Sequence, residues 1–199
     1  MKKLKYILVI IGLIFSLSVQ AEEELLDSQK EFLVSANDCD IPTLQKHIDN
    51  GINLDVLTWN DKFGMTASML TSLSECHVGF DILINAGADV NVQSYENGYT
   101  VLIRSIIYGN VVFVEKLVNH PNIDFTITDV KGRTPLAVAM DQFQLEVDSL
   151  LYVNSLTENN KETHSEFYIQ TLVKWRLLSL DGLEKSGKII ALLLDHGAK

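Results

Sequence analysis

The chain has 199 residues, enough for one domain with a continuous core. Acidic residues outnumber basic ones 26 to 16, a formal charge of −10. That balance argues against nucleic acid or anionic lipid as a partner and favours a basic protein drawn in by electrostatic steering.

In chain order, the first segment reads as a targeting signal. Lys2, Lys3 and Lys5 precede an uncharged apolar run from Tyr6 to Val19, which closes on Val19-Gln20-Ala21 and three acidic residues, Glu22 to Glu24. This is the layout of a secretory signal peptide over 1–21, cleaved between Ala21 and Glu22. The run is shorter than the ~20 residues of a membrane span, so no stable membrane anchoring is expected after cleavage. The segment holds three of the 16 basic residues and no acidic one, so residues 22–199 carry a charge of −13. The expected location is the bacterial periplasm or the exterior.

The remainder repeats. Gly64, Gly98 and Gly132 lie 34 residues apart, and each is followed two residues later by Thr66, Thr100 or Thr134. Such a Gly suits a tight turn and such a Thr suits a helix N-cap. Small residues follow at corresponding places: Ser35 and Ala36, Thr71 and Ser72, Ser105, Ala139. Apolar residues then recur at helical spacing, as in Phe80, Leu83 and Ile84, or Val114, Leu117 and Val118, or Ile190, Leu193 and Leu194. Gly51, Gly87 and Gly197 suit helix C-caps.

The segments Asn85-Ala86-Gly87-Ala88-Asp89-Val90-Asn91, Gly132-Arg133-Thr134-Pro135-Leu136-Ala137-Val138-Ala139 and Tyr108 to Val118 resemble the ending, opening and middle of an ankyrin repeat. The resemblance covers Ser28 to Lys199 apart from one insertion. It implies an all-α solenoid of stacked helix-turn-helix units with β-turn hairpin tips, in which each unit buries its apolar face only against its neighbours. Within a domain over 22–199, the repeats run over about 28–57, 58–91, 92–126, and 129–142 resuming at 185–199. A helical insert fills about 143–184. Leu145, Leu150, Leu151 and Val153 extend one helix, 154–161 reads as a polar loop, and Thr163-His164-Ser165-Glu166 reads as a capping box opening another helix to about Leu178. The insert is expected to cap the last repeat or to touch a partner.

Cys39 and Cys76 fall in the turns of the first two repeats. Equivalent turns of stacked repeats lie about 10 Å apart, and their offset of one residue would narrow that gap, making them a candidate disulfide. No catalytic signature is present: there is no His-Glu-x-x-His, Gly-x-Ser-x-Gly, phosphate loop or Cys-x-x-Cys. Neither a metal nor a cofactor is expected, and the protein reads as a non-enzyme.

The ankyrin resemblance implies binding of another protein through the concave face. Carried across, the contact residues are Lys62, Phe63, Met65, Leu73, Glu96, Asn97, Tyr99, Ile107, Tyr108, Lys131 and Arg133. Val130, Asp141 and Gln142 lie at matching positions, and Trp59 and Tyr95 near the tips. Aromatic and arginine side chains suit such a surface. The expectation is a monomeric binder, of the kind that secreted bacterial immunity proteins use against toxins. An envelope scaffold or oxidative-stress protectant is the alternative, and an enzyme with a site in the insert is a third.

Overall fold

The computed structural model describes the backbone of residues 26–58, 63–159 and 166–198, and their side chains outside 154–178. The expected signal with its cleavage residues Ala21 and Glu22, Trp59, Lys62 and most of the Thr163 capping box lie outside the described residues.

The described residues form helices and turns only. Helix α1 spans 26–38 and is followed by α2 (Ile41–Asp49), α3 (Ala67–Leu73), α4 (His77–Asn85), α5 (Val101–Ile107), α6 (Val111–Val118), α7 (Pro135–Asn159) and α8 (Glu166–Asp195). Each repeat contributes one helix to an inner row and one to an outer row. In the inner row α5 packs between α3 and α7; in the outer row α2 meets α4 and α6 meets α8.

Local chemistry explains where these helices start. The hydroxyls of Thr66, Thr100 and Thr134 accept from the backbone N–H of Met69, Ile103 and Ala137, each at 3.3 Å, and so satisfy a donor that the first turn would leave open. The small residues then let inner helices approach. Ser35, Ala36, Thr71, Ser72, Ser105 and Ala139 are all buried, and Ser72 and Ser105 share a hydrogen bond of 2.9 Å between repeats. The helices of the two middle repeats have only seven to nine residues, too short to persist alone in water, so stacking must hold them.

The core is continuous along the stack. One cluster gathers Phe32, Leu33, Ala36, Leu44, Ala67, Leu70, Leu83 and Ala88; the next is built around Phe80, Leu102, Ile103, Phe113, Leu117, Ile189 and Leu193, and Met65 packs against both. Phe113 is the hub of the second cluster: its ring meets Phe80 edge-on at 4.8 Å and stacks on His77 at 4.6 Å. On the outer loops, the Asp89 N–H donates to Asp55 Oδ1 at 2.9 Å and the Asp124 N–H to Asn91 Oδ1 at 3.0 Å, tying each repeat to the one before.

The last repeat departs from this plan. Its insert does not form separate elements. α7 runs unbroken for 25 residues and α8 for 30, so the insert lengthens both helices of the fourth repeat into one antiparallel hairpin. The polar stretch expected as a loop from Asn154 is helical as far as Asn159, and the helix expected to stop near Leu178 continues to Asp195. The reason is mutual support: two paired helices give each other a neighbour, and neither needs a further repeat to persist. Gly182 and Glu146 show how closely they pair, since a Cβ at Gly182 would lie 2.5 Å from the Glu146 carboxylate carbon. At the hairpin base α7 lies on α5 and α8 on α6.

Candidate functional site

The hairpins between repeats form a linked ledge. Each closes on itself through a backbone bond, as from the Ser94 N–H to Tyr99 O at 2.9 Å and from the Asp129 N–H to Arg133 O at 3.0 Å. Each also bonds to its neighbour: the Tyr95 N–H donates to Phe63 O at 2.9 Å, and the Val130 N–H donates to Asn97 O at 3.0 Å. The glycine of each hairpin makes this contact feasible. Gly98 has φ +65°, and a Cβ there would come within 3.1 Å of the Val130 nitrogen; at Gly64 the Tyr95 ring itself occupies the place a Cβ would take. A left-handed backbone with no side chain is therefore required twice over, by conformation and by packing.

Along this ledge the structure exposes Phe63 (38%), Tyr95 (67%) and Val130 (65%), together with Glu96 and Lys131. Of the residues expected at the tips, Met65, Asn97 and Tyr99 are only half-exposed: Met65 packs against both core clusters and Tyr99 against the second. Tyr95, noted only as a neighbour of the tips, is the most exposed aromatic of the ledge even though its ring lies across Gly64 of the preceding hairpin, a contact that sequence spacing does not display.

Arg133 is committed to the fold. Its Nε and Nη2 donate to Asp129 Oδ2 at 2.9 and 2.7 Å, and its Nη1 donates to Asp141 at 2.7 Å. The Asp129 side chain is 1% exposed and also accepts the backbone N–H of Lys131 and Arg133. Burial pushes the Asp129 carboxyl upward. The Arg133 N–H and guanidinium and the Lys131 N–H outweigh it and hold the group below the usual carboxylate range. Arg133 thus braces the last hairpin rather than waiting for a partner.

The helix-turn residues fall in two places. Leu73 is exposed at the end of α3. Ile107 and Tyr108 (57% exposed) line a polar pocket of about 190 Å³ with Gly109, Gln142, Glu146, Asp181, Gly182 and Lys185, at the base of the long hairpin. A hydrogen bond and ion pair to Asp181 raise the affinity of Lys185 for its proton. A second groove, about 250 Å³, lies on the first repeat between Lys30, Leu33, Val34, Asn37, Asp38, Thr58 and Leu70. Sequence reasoning passed it over because this repeat lacks the Gly-x-Thr opening; exposed Val34 on the inner helix was the available signal.

Cys39 and Cys76 are joined as a disulfide, with their Cα atoms 5.5 Å apart. Cys39, Glu75 and Gly109 all take positive φ at the same turn position, so Cys39 pairs with the residue after its own counterpart. That offset brings two neighbouring turns within bonding reach. No group of three or more metal-ligating side chains occurs among the described residues, and no described helix is long and apolar enough to cross a membrane.

A stack of helix pairs carrying a ledge of hairpin tips defines a repeat solenoid whose surfaces serve protein–protein interaction. Residues 69–163 match the family described as Ankyrin repeats (3 copies), and the chain is an ankyrin-repeat protein. It is similar to the Inhibitor of Bruton tyrosine kinase of Mus musculus (35% identical over 83 residues, 42% of this chain) and of Homo sapiens (36% over 83 residues). It is also similar to Rabankyrin-5 of Mus musculus, 29% identical over 129 residues, 65% of this chain. The matched segments span only 6% of the first two proteins and 10% of the third.

Proposed function

We propose that the protein is a secreted bacterial binder, periplasmic after removal of residues 1–21, that neutralises a protein toxin as an immunity protein does. The observation that carries the binding surface is the ledge itself: Phe63, Tyr95 and Val130 exposed side by side on hairpins that their own hydrogen bonds hold in register. Rigid, exposed aromatic and aliphatic side chains are efficient anchors, because little freedom is lost when a partner covers them. The charge of −13 on residues 22–199 steers a basic partner toward the surface. The Cys39–Cys76 bond supports an oxidising compartment, in keeping with the N-terminal leader.

The test is protection. A toxin-like reading frame beside this one, expressed in the periplasm, is expected to kill cells unless the full chain is co-expressed. Phe63→Ala with Tyr95→Ala should abolish protection while leaving the helical signal intact; protection that survives this pair of changes removes the ledge from the account, and a chain that protects against no neighbouring toxin removes the immunity role. An envelope scaffold or oxidative-stress protectant rests on the same disulfide and is told apart by reduction: its activity would follow the redox state of Cys39 and Cys76.

A further inference from the structure

Laying the repeats on one another singles out position 104. The left-handed turns at Cys39, Glu75 and Gly109 set the register, and five residues before them stand Val34, Leu70 and Arg104. The 34-residue spacing of Gly98 and Gly132 adds Val138. Three of these four inner-helix positions are apolar. Leu70, Arg104 and Val138 are all buried, Arg104 with 6% exposure.

A buried guanidinium is normally paired, because the desolvation of an isolated charge costs several kcal/mol. Arg104 is not paired. Its Nε and Nη2 have no hydrogen-bond partner, and it makes no ion pair among the described residues. Among the described residues its attractive neighbour is the face of Tyr99, whose ring centroid lies 5.9 Å from Cζ, at the outer limit of a useful cation–π contact. Arg133, by contrast, spends its donors on two aspartates. Leucine at the equivalent position of the preceding repeat shows that the stack accommodates an apolar side chain there. Packing alone therefore does not call for a guanidinium there.

Its location supplies the reason. Tyr99 belongs to the hairpin that carries Tyr95 and Glu96, so Arg104 lies under the middle of the exposed ledge. We infer that Arg104 is the floor of an anion site beneath Tyr99 and that it receives a carboxylate of the bound protein, a Glu or Asp side chain or a C-terminus. A guanidinium edge matches a carboxylate bidentately. A singly charged group suits this protein better than a phosphate dianion, which the charge of −13 on residues 22–199 would repel more strongly. The inference rests on the ledge being the binding surface. It gives that surface a division of labour: the acidic exterior draws in a basic partner from a distance, and one buried cation sets its register.

The probe is sodium acetate, titrated into the full chain against sodium chloride at equal ionic strength, with sodium phosphate as a second arm. In the wild type, acetate should raise Tm by about 2–4 °C, the shift that 1 kcal/mol produces in a domain of this size, and should move the Arg104 Nε–H resonance. Arg104→Leu should be more stable than the wild type in chloride and lose the acetate-specific response; Arg104→Lys should respond more weakly than the wild type. A Leu variant less stable in chloride, or unfolded, shows that Arg104 serves the fold and overturns the inference. So does an acetate response equal in the wild type and Arg104→Leu, no response in either, or a response to phosphate alone. An acetate response at Arg104 beside undiminished protection by the Phe63 and Tyr95 variants would leave the anion site standing and remove the ledge reading; the converse result would do the reverse.

Discussion

The two middle repeats and the long C-terminal hairpin solve one problem in two ways. In the middle repeats the four helices have seven to nine residues, only α3 and α5 are capped by a threonine, and all of them depend on their neighbours in the stack. In the hairpin, helices of 25 and 30 residues cover each other and meet the stack only at their base. The first arrangement spreads stability along the stack in nearest-neighbour steps, so damage to a central repeat is felt on both sides. The second keeps its stability local. A solenoid can therefore carry a large helical insertion in its last repeat without disturbing the register of the others.

The comparison can be broken most forcefully at its centre. Phe113→Ala removes a fully buried ring between Phe80 and His77 and should cost about 3–5 kcal/mol, with loss of cooperative unfolding along the stack in a denaturant titration. Next comes the crosslink between the first two repeats. Cys39→Ser with Cys76→Ser should cost about 2–4 kcal/mol, and hydrogen exchange should show α1 and α2 opening first while the hairpin keeps its protection.

Smaller effects are expected at the ledge. Gly98→Val should destabilise by roughly 1–3 kcal/mol, because a β-branched residue resists φ +65° and its Cβ would press on Val130; unchanged melting would refute the hairpin geometry. Asp129→Asn should cost a similar roughly 1–3 kcal/mol through weakened bonds to Arg133. Its pH dependence has a definite sign. The folded group has a depressed pKa, so its contribution is complete above the unfolded value of about 4 and is lost as pH falls below it. The Asn variant should show a shallower loss of Tm on acidification over that range.

The smallest effect sharpens the comparison. In repeat register Gln142 matches Tyr108, and Lys185 matches Gly109. Removing 143–184 and joining Gln142 to Lys185→Gly should restore an ordinary repeat and change the stability of the stack by no more than about 1–2 kcal/mol, read by thermal melting. A collapse of the whole fold would show that the hairpin, rather than the stack, is the organising element.

Much of the architecture could be read from residues alone. The 34-residue spacing of Gly64, Gly98 and Gly132 located the hairpins, Thr66, Thr100 and Thr134 located the helix starts, and the serines and alanines located the close approach of the inner row. The extent of α7 and α8 was harder to see: the polar residues after Asn154 interrupt the apolar pattern, yet pairing with a second helix overrides a local preference for a loop. The surface was legible only in outline. Phe63 and Tyr108 are exposed as expected, whereas Tyr99 and Met65 turn partly inward and Arg133 is consumed by Asp129 and Asp141.

What the amino-acid order determined was everything that depends on a residue and its near neighbours: caps, left-handed turns, helical faces and the period that stacks them. The tertiary structure decided which side chains other repeats cover. It placed Cys39 beside a turn 37 residues away, laid Tyr95 over Gly64, and closed the stack over Arg104 without giving it a counter-ion among the described residues. Such outcomes depend on the gap between one repeat and the next, and a gap is a property of two surfaces that no single repeat encodes.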